Sequence, residues 1–562
     1  MSNAPIRTFA PLAAALAALL LGVAPSATAA PPATAASDSE AARLAPLLDG
    51  MGSHRHSIAT DVPLAQRYFD QGLVLAYGFN HAEAARAFRE ALRLDPACAM
   101  CAWGVALVLG PNINAAMDPA GAPEAWAALE TARVLVEDGA ERERAYVAAL
   151  ARRYAPQPPE SRAALDAGYA DAMRELARRY PDDLDAATLF AEALMDTTPW
   201  DYWTADGEPK PVTKEILAVL EAVLAKDPDH PGANHLYIHV VEAVHPERGV
   251  AAADRLGSLV PAAGHLVHMP GHIYIRVGRY HDAEVANERA IAADASYESQ
   301  CHAQGLYPLT YVPHNYHFLG AAATFAGRGK VALEAARHIA AHADPAMMRE
   351  KGFGTLQHYW ATPLYTLVRF GRWDEILAEP QPPGDLLYPT GVWRYARGMA
   401  GLRKGRLADG DAELAALRRI AADPGLEGVT LWDINPTRSL LEIAAEVLGA
   451  ELAAARDDFD GAIAQLESAV RREGELRYDE PPPWPFPVRH TLGSIFLRAN
   501  RLADAERVYR EDLAKFPENG WSLLGLAQSL ESQGYEDEAA PVRERFAKAW
   551  QYADVEITGS EL

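Results

Sequence analysis

The stretch that decides the fold is residues 68–96, YFDQGLVLAYGFNHAEAARAFREALRLDP. Two segments of helical pattern flank the turn at residues 78–80, and Pro96 ends the second segment because proline cannot continue a helix. A small residue at Gly72 lets the two helices approach closely, and the ring of Phe88 fills the space beside it. The stretch therefore predicts a pair of helices packed against each other.

Similar turns recur along the chain, each followed by a helical stretch rich in alanine and glutamate. They are marked by Gly278, Gly371, Gly405, Asn500 and Gly534. Gly371 and Gly405 are 34 residues apart, and so are Asn500 and Gly534. A fixed period of this length indicates an array of helical pairs. The first helices of further pairs are predicted near 97–109, 185–196, 232–244, 264–277, 314–326, 357–369, 391–403, 437–449, 487–499 and 520–533.

This period, with its small and aromatic positions, resembles that of tetratricopeptide repeat (TPR) proteins along nearly all of the chain after residue 30. The resemblance implies an all-α fold, a TPR-type α-α superhelical solenoid, and implies almost nothing about function. The predicted organisation is a signal peptide at 1–30, a flexible N-terminal segment at 31–60, N-terminal repeats at 61–230, central His-rich repeats at 231–380, further repeats at 381–480, a C-terminal pair at 481–552 and a tail at 553–562.

Three stretches interrupt the period. Residues 110–127 and 197–212 are predicted to be long turns within a pair, and 295–313 a long connection between pairs. Insertions in a repeat array lie on one face, which is often the binding face. Residues 480–487, EPPPWPFP, are predicted to be a stiff proline link that introduces the last two pairs.

Composition and charge restrict the possible functions. The 562 residues include 76 acidic and 52 basic side chains, which gives a net charge of −24 at pH 7. Such a chain repels phosphate backbones, and no stripe of Lys and Arg offsets the charge, so nucleic acid is not an expected partner. The 3 cysteines are too few for a disulfide framework, so packing must hold the fold together.

The first 30 residues are predicted to be an export signal. A single basic residue, Arg7, precedes an apolar run over residues 10–23, and the small residues at 27–29 suit a cleavage site. The run is too short to favour a membrane span, and no later stretch reaches about 18 apolar residues. We therefore expect an exported chain, periplasmic or secreted, with no membrane span.

The histidines are clustered in the middle of the chain. Of 18 in total, 11 lie between His230 and His317, where even spreading would place roughly three. When the repeats are aligned, His265, His268 and His272 share one face of a helix at i, i+3 and i+7. In TPR proteins that face lines the concave groove. The same face of neighbouring repeats carries His235, His239, Glu242, His314, His317 and His358.

This set of side chains predicts a transition-metal site. Helices of adjacent repeats pack about 8–10 Å apart, close enough for their side chains to share an ion. Neutral imidazole is the commonest ligand of Zn, Cu, Fe and Ni. The core ligands are predicted to be His265, His268 and His272. The set for one or two ions is completed by His314, His317, His235 and His239, with Glu242 as a ligand or a base. Because thiols are scarce and Met269 adjoins the cluster, copper is favoured over zinc.

Two other interpretations of the histidines stay open. The groove could be a polar surface for an anionic or aromatic group, or the rings could be packing residues at helix contacts. The stretches HLVHMPGHIY at 265–274 and PHNYHF at 313–318 resemble those of a group of exported bacterial TPR proteins. That resemblance implies an exported protein with a His-rich centre and supplies no reaction.

Other candidate residues lie outside the His-rich segment. Cys98 and Cys101 form a Cys-x-x-Cys pattern where a helix is predicted to begin, which suits a local disulfide, a copper(I) thiolate pair or a redox site. The aromatic group at 200–203 either roofs the groove or caps a short helix. His54 and His56 precede the first repeat and are predicted to be solvated.

The predicted function is an exported TPR solenoid that binds copper or zinc in its concave groove, for metal handling or metal-dependent catalysis. The alternative is a scaffold whose groove takes a protein or peptide, with no metal chemistry. The sequence has no phosphate loop, serine elbow or His-Glu-x-x-His motif, so no enzyme class is indicated.

Overall fold

The computed structural model describes residues 43–301 and 307–562. In these ranges the chain is helical apart from turns, isolated bridges and one short antiparallel ladder of Thr430–Leu431 with Asn435–Pro436. The signal predicted at 1–30 lies outside the described residues. None of the described helices is long and apolar enough to span a bilayer.

The chain divides into two compact units. Unit 1 takes its described residues from Met1–Pro270 and Arg289–Val312, and unit 2 is formed by Gly271–Glu288 and Pro313–Leu562. The predicted central segment 231–380 therefore contributes residues to both units.

The helices before residue 270 belong to unit 1. They are α1 (Pro63–Tyr77), α2 (His81–Leu94), α3 (Ala99–Val108), α4 (Ala122–Leu135), α5 (Glu141–Leu150), α6 (Ala163–Arg179), α7 (Leu184–Thr197), α8 (Pro211–Lys226), α9 (Pro231–Val241), α10 (Pro246–Leu259) and α11 (Gly264–His268). Then follow α12 (Pro270–Arg276), α13 (Tyr280–Cys301) and α14 (Tyr307–Phe325). Both α13 and α14 contribute residues to the two units.

The remaining helices belong to unit 2. They are α15 (Gly329–His342), α16 (Gly354–Arg369), α17 (Trp373–Ala378), α18 (Leu387–Arg403), α19 (Leu407–Ala421), α20 (Thr437–Ala454), α21 (Phe459–Glu475), α22 (Val488–Arg498), α23 (Leu502–Lys515), α24 (Gly520–Ser532) and α25 (Glu536–Ala549). Single 3₁₀ turns at Pro119–Gly121 in unit 1, and at Met347–Arg349 and Pro424–Leu426 in unit 2, accompany them.

Within each unit the helices follow the TPR pattern. Successive helices pack against each other, and alternate helices also touch: α1 contacts α3 in unit 1, and α18 contacts α20 in unit 2. Contact with the next helix but one is what stacking of helical pairs produces. The prediction of an all-α, TPR-type α-α solenoid fold is confirmed.

Close approach between helices depends on glycine facing an aromatic ring. A Cβ atom added at Gly72 would lie 2.8 Å from the Phe88 ring, and one at Gly104 would lie 2.4 Å from the same ring. In unit 2 the ring of Tyr509 lies in the same way between two glycines, 493 and 525, at 2.4 and 2.2 Å. Each aromatic residue is 16 positions from both of its glycines. In both units one aromatic ring thus packs between two helices, each of which has a glycine at the point of contact.

The turn residues that mark the repeats share a left-handed backbone. The φ angles of Gly278, Gly371, Gly405, Asn500 and Gly534 are 80°, 62°, 75°, 57° and 82°. Glycine and asparagine tolerate this conformation, which ends a helix and turns the chain. The period read from the sequence is therefore a period of helix ends.

Two predicted elements differ from the structure. The helix predicted at 264–277 is interrupted, because Pro270 has no backbone N–H to continue α11 and instead begins α12. The connection predicted at 295–313 is wrong in its described parts, since residues 295–301 extend α13 and 307–313 begin α14. Residues 290–301 contain neither glycine nor proline, so no local signal ends α13 before Cys301.

The proline stretch at 480–487 does more than link α21 to α22. Trp484 is 2% exposed, and its ring centroid lies 5.5 Å from that of Tyr365 and 5.9 Å from that of Tyr395. Phe486 is buried in the same apolar cluster. The backbone of this stretch bends repeatedly, and its aromatic side chains fill part of the core of unit 2.

Candidate metal centre

The predicted ligands fall in both compact units. Those in unit 1 are His235, His239, Glu242, His265 and His268. Those in unit 2 are His272, His314, His317 and His358. Each unit therefore presents its own set of imidazoles, and the unbroken helix face that placed His265 beside His272 in the sequence is divided after Pro270.

Three of the predicted ligands converge in unit 1. His235 and His239 lie one turn apart on α9, and His265 lies on α11. One ring nitrogen of each lies within 4.8 Å of the others, and all three side chains are buried. Two ligands of one ion, each bonded at about 2.0–2.1 Å, can lie up to about 4.2 Å apart. Small rotations of these rings would therefore bring all three nitrogens onto one ion.

Hydrogen-bond acceptors fix the orientation of two of the rings. Nδ1 of His235 lies 2.5 Å from the carbonyl oxygen of Tyr77, and Nδ1 of His239 lies 3.1 Å from Oε1 of Glu242. Since a carbonyl and a carboxylate only accept, each Nδ1 carries the hydrogen and the neutral ring has its lone pair on Nε2. Metal-binding histidines are oriented in this way. Glu242 thus binds the nitrogen of His239 opposite to the one that carries the lone pair, and so orients the ring.

Aromatic side chains enclose the three imidazoles. Phe79, in the turn between α1 and α2, places its ring centroid 4.6 to 5.8 Å from all three. Trp200 lies edge-on to His239 at 5.2 Å, and Tyr311 lies edge-on to His265 at 4.6 Å. Apolar surroundings favour the neutral imidazole, which is the form that binds metal. Trp200 therefore covers His239, and whether the aromatic group at 200–203 roofs a ligand stays a prediction.

His265 is positioned through its backbone. Its N–H donates to the hydroxyl oxygen of Tyr307 at 2.9 Å, and that hydroxyl donates to Oδ1 of Asp294 at 2.9 Å. Burial, together with the charge of Asp294, raises the pKa of Tyr307 well above its usual value, so the hydroxyl keeps its proton. A small pocket is lined by His265, Asp294 and Tyr307 together with Leu75 and Gly78. His265 is therefore buried, and only a small pocket borders it on the side of Tyr307 and Asp294.

Gly264→Ala should disturb this arrangement. A Cβ atom at Gly264 would lie 1.9 Å from Oδ1 of Asp294, so either the carboxylate or α11 must move. We expect a loss of about 1–3 kcal/mol in the stability of unit 1, measured by thermal unfolding, together with weaker metal binding. Gly168→Ala is the matched control, because its Cβ would meet nothing closer than 3.8 Å and alanine favours the helix. An unchanged unfolding midpoint in Gly264→Ala would contradict the positioning role.

In unit 2 the predicted ligands lie in pairs. The ring centroids of His272 and His314 are 5.6 Å apart, and Nδ1 of His272 lies 3.2 Å from Oε2 of Glu480. The ring centroids of His317 and His358 are also 5.6 Å apart. Burial lowers the pKa of His317 to about 4, and burial with the neighbouring His317 lowers that of His358 to about 3. The second pair is therefore neutral at pH 7, and a ligand role for either pair stays a prediction.

A second group of histidines surrounds Asp185 in unit 1, and no pattern in the sequence predicts it. Oδ1 of Asp185 lies 2.9 Å from Nε2 of His54, 3.3 Å from Nε2 of His230 and 2.7 Å from the hydroxyl of Tyr77. Oδ2 lies 2.8 Å from Nδ1 of His56. The prediction that His54 and His56 are solvated is wrong, because the chain before α1 folds onto α7, which buries His56 and leaves the side chain of His54 only 12% exposed.

Proton positions argue against a metal ion at Asp185. Nδ1 of His230 accepts the backbone N–H of Ala233 at 3.2 Å, at the start of α9. The proton of His230 is therefore on Nε2, which donates to Asp185 and has no lone pair for a metal. Although burial opposes it, hydrogen bonds from His230, His54 and His56 hold the pKa of Asp185 well below its usual value. We call this group, Asp185 with its three histidines and Tyr77, the Asp185 clamp.

The cysteines offer no thiolate for a metal. Cys98 and Cys101 are joined by a disulfide where α3 begins. Of the interpretations left open by the sequence, the structure thus favours the local disulfide over a thiolate pair. Cys301 is a free, buried cysteine, and burial raises the pKa of its thiol to about 12. A thiol with such a pKa stays protonated and is a poor metal ligand.

No protein-family model and no curated protein matches the chain. Among solved structures, the chain is similar to a human IFIT1 dimer with m7Gppp-AAAA, at 11% identity and a TM-score of 0.29, over 88% of this chain and 91% of that chain. It is also similar to the APC/C hetero-tetramer Cut9-Hcn1, at 11% identity and a TM-score of 0.26, over 87% and 88%. A third similar structure is Naa15/Naa10 bound to HypK-THB, at 12% identity and a TM-score of 0.23, over 87% of this chain and 74% of that chain. With scores this low, the assignment of the fold rests on the repeats of the chain itself.

Proposed function

We propose that the chain is an exported TPR-type scaffold that binds one transition-metal ion in unit 1, through His235, His239 and His265. The observation that carries the proposal is the convergence of three buried imidazoles, two of them oriented by Tyr77 and Glu242. Three protein nitrogens leave a coordination position for water or another ligand, as in catalytic rather than structural sites. Such a position suits transfer of the ion to a partner or metal-dependent chemistry.

Copper is the proposed ion, and zinc is its competitor. Nitrogen ligands bind Cu(II) more tightly than Zn(II) in the general order of affinities. Met269 follows His268 directly and is fully buried, and a thioether is a soft donor that suits Cu(I). Export, predicted from residues 1–30, belongs to the same proposal, because an oxidising compartment also suits the Cys98–Cys101 disulfide.

Metal analysis of the full chain, purified without a histidine tag, tests the proposal. After equilibration with Cu(II) or Zn(II) and removal of free metal, we expect about one ion per chain by elemental mass spectrometry. Because the ion binds the folded state, it should also raise the unfolding midpoint of unit 1 in calorimetry.

His338→Ala/His342→Ala is the matched control for adventitious binding to imidazole. It removes two histidines whose rings stack at 4.3 Å on α15, outside the proposed centre. This variant should retain the metal content of the wild type. A wild-type content below about 0.2 ion per chain after equilibration with both metals would overturn the proposal and leave a protein-binding or peptide-binding scaffold as the function.

A further inference from the structure

The last nine residues of the sequence, Asp554–Leu562, lie against unit 2 like a bound peptide. From Asp554 to Thr558, exposed and half-buried residues alternate, and Ser560 is 1% exposed. Alternation with a period of two is the pattern of an extended chain with one side against a surface. The tail predicted at 553–562 is thus packed on unit 2 without helix or strand, and its backbone bends at residues 554–555 and 558–560.

The first anchor of the segment is the start of a helix. The two carboxylate oxygens of Asp554 accept the backbone N–H groups of Gly329 at 2.7 Å and Lys330 at 3.1 Å, where α15 begins. The helix has no cap from the side chain of its own Arg328. A carboxylate at this place satisfies exposed N–H groups and complements the helix dipole. Asp554 therefore supplies the cap from 225 residues away.

The middle of the segment is held by apolar contacts and by its own carbonyl groups. The side chains that pack on a buried apolar cluster of unit 2 are Val555, Ile557 and Leu562. The indole N–H of Trp550 donates to the carbonyl of Val555 at 2.9 Å. The amide of Gln528 donates to the carbonyl of Thr558 at 2.7 Å. These contacts bind two backbone carbonyl groups and three apolar side chains of the segment, as in other modes of peptide recognition.

A polar pocket receives Ser560. Its hydroxyl donates to the carbonyl oxygen of His490 at 2.8 Å, and it accepts from the hydroxyl of Tyr509 at 2.7 Å. Its own carbonyl lies 3.4 Å from the guanidinium of Arg369. Arg369 is 6% exposed and lies flat on the ring of Trp521, at 3.5 Å from the centroid. The buried guanidinium of Arg369, stacked on Trp521, therefore lies beside the backbone carbonyl of Ser560.

Charge complementarity continues at Glu561. Its carboxylate accepts the hydroxyl of Thr491 and lies 3.5 Å from the guanidinium of Arg403. Arg403 also binds the buried Glu451 at 3.3 Å, and Glu451 is hydrogen-bonded to Glu561. Burial, together with the charge of Glu561, raises the pKa of Glu451 to about 8, so Glu451 keeps its proton and can donate it to Glu561. The surface therefore binds Asp554 at the start of α15 and Glu561 among Thr491, Arg403 and Glu451, with an apolar cluster between the two acids. We call this surface, formed by Arg369, Arg403, Thr491, Tyr509 and the start of α15, the segment site.

We propose that the segment site is a peptide-binding site and that Asp554–Leu562 occupies it as an exchangeable ligand of the same chain. Its ligand in trans is an acidic, non-helical peptide of a partner protein with the Ser-Glu-Leu pattern of residues 560–562. The contacts are non-covalent and come from several helices of unit 2. The segment follows α25 after only residues 550–553, so it can leave without moving a helix.

Cleavage of the folded full chain tests this proposal. A recognition sequence for a specific protease is inserted between Tyr552 and Ala553, and the purified chain is cleaved after folding. Excess fluorescent peptide DVEITGSEL is then exchanged into the cleaved chain and followed by anisotropy. We expect saturable binding, at least about tenfold tighter than to the uncleaved chain, because the covalently attached segment competes at a high effective concentration.

Thr491→Val is the matched variant for recognition of the acid. It keeps the shape of the side chain but removes the hydroxyl that donates to Glu561, so the peptide should bind at least about tenfold more weakly. A peptide with the Glu561→Ala change should also bind more weakly, because it lacks the carboxylate that accepts from Thr491 and pairs with Arg403. Absence of labelled peptide binding after cleavage, or loss of the helical circular dichroism signal on cleavage, would show that the segment is a fixed part of unit 2 and would overturn the proposal.

Discussion

His239→Ala/His265→Ala should lower the metal content from about one ion per chain to below about 0.2 after equilibration with copper and removal of free metal. The double substitution leaves His235 as the last imidazole of the converging group in unit 1. One imidazole does not hold an ion against buffer competition, whereas three converging imidazoles, two of them oriented by hydrogen bonds, do. Elemental mass spectrometry measures the metal content per chain, and competition with a coloured chelator measures the metal affinity.

Glu242→Gln tests the orienting hydrogen bond without removing a ligand, because glutamine has nearly the same volume as the buried glutamate. The amide accepts the Nδ1 hydrogen of His239 more weakly than the carboxylate does, and such changes behind a ligand cost about 10–100-fold in metal affinity. The stoichiometry at saturating metal should stay the same. Retention of full metal content by the double variant, or of full affinity by Glu242→Gln, would place the ion elsewhere.

The repeat array could be predicted because its determinants are local. Gly371 and Gly405 end helices through a left-handed backbone that depends on the residue type at a single position. The helices predicted near 437–449 and 487–499 are Thr437–Ala454 and Val488–Arg498. The prediction failed where no local signal exists, as at Cys301, to which α13 continues without a glycine or proline to end it earlier.

The candidate centre could be predicted only in part. His235 and His239 share a face because they are one helical turn apart, and the repeat alignment brought His265 to the same face. The orienting carbonyl of Tyr77 lies 158 residues before His235, and Asp185 lies 131 residues after His54. Contacts at such separations follow from the folding of the chain onto itself, and no periodicity in the sequence encodes them.

Asp185→Ala should destabilise unit 1 by about 3–5 kcal/mol. The substitution removes the acceptor shared by the hydroxyl of Tyr77 and the rings of His54, His56 and His230. These groups would stay buried without that acceptor, which costs more than the surface ion pairs of the chain contribute. Because the chain has two compact units, the change is measured at the calorimetric transition of unit 1.

The effect of Asp185→Ala should depend on pH. Although burial lowers it, the hydrogen bond to Asp185 and the charge of Asp185 leave the pKa of His54 raised above its usual 6.5. A raised folded pKa means that the contribution of His54 is present below about pH 6.5 and is lost as the pH rises through the folded value. The difference in midpoint between wild type and Asp185→Ala should therefore be larger at about pH 6 than at about pH 9.

Asp182→Ala is the matched control for Asp185→Ala. Asp182 lies in the turn just before α7, and its carboxylate is exposed and pairs with Lys226 at 3.5 Å. Its removal should leave the unfolding midpoint unchanged at both pH values. Equal midpoints for Asp185→Ala and wild type would show that the Asp185 clamp does not hold the segment before α1.

Tyr77 connects the Asp185 clamp to the candidate metal centre. Its hydroxyl donates to Asp185, and its carbonyl accepts Nδ1–H of His235. Loss of the clamp should loosen the end of α1, and with it the carbonyl that orients a ligand ring, so Asp185→Ala should also weaken copper binding. Since the carboxylate touches no ligand directly, the loss should be smaller than in Glu242→Gln. Unchanged copper affinity in a destabilised Asp185→Ala chain would show that Tyr77 orients His235 independently of the clamp.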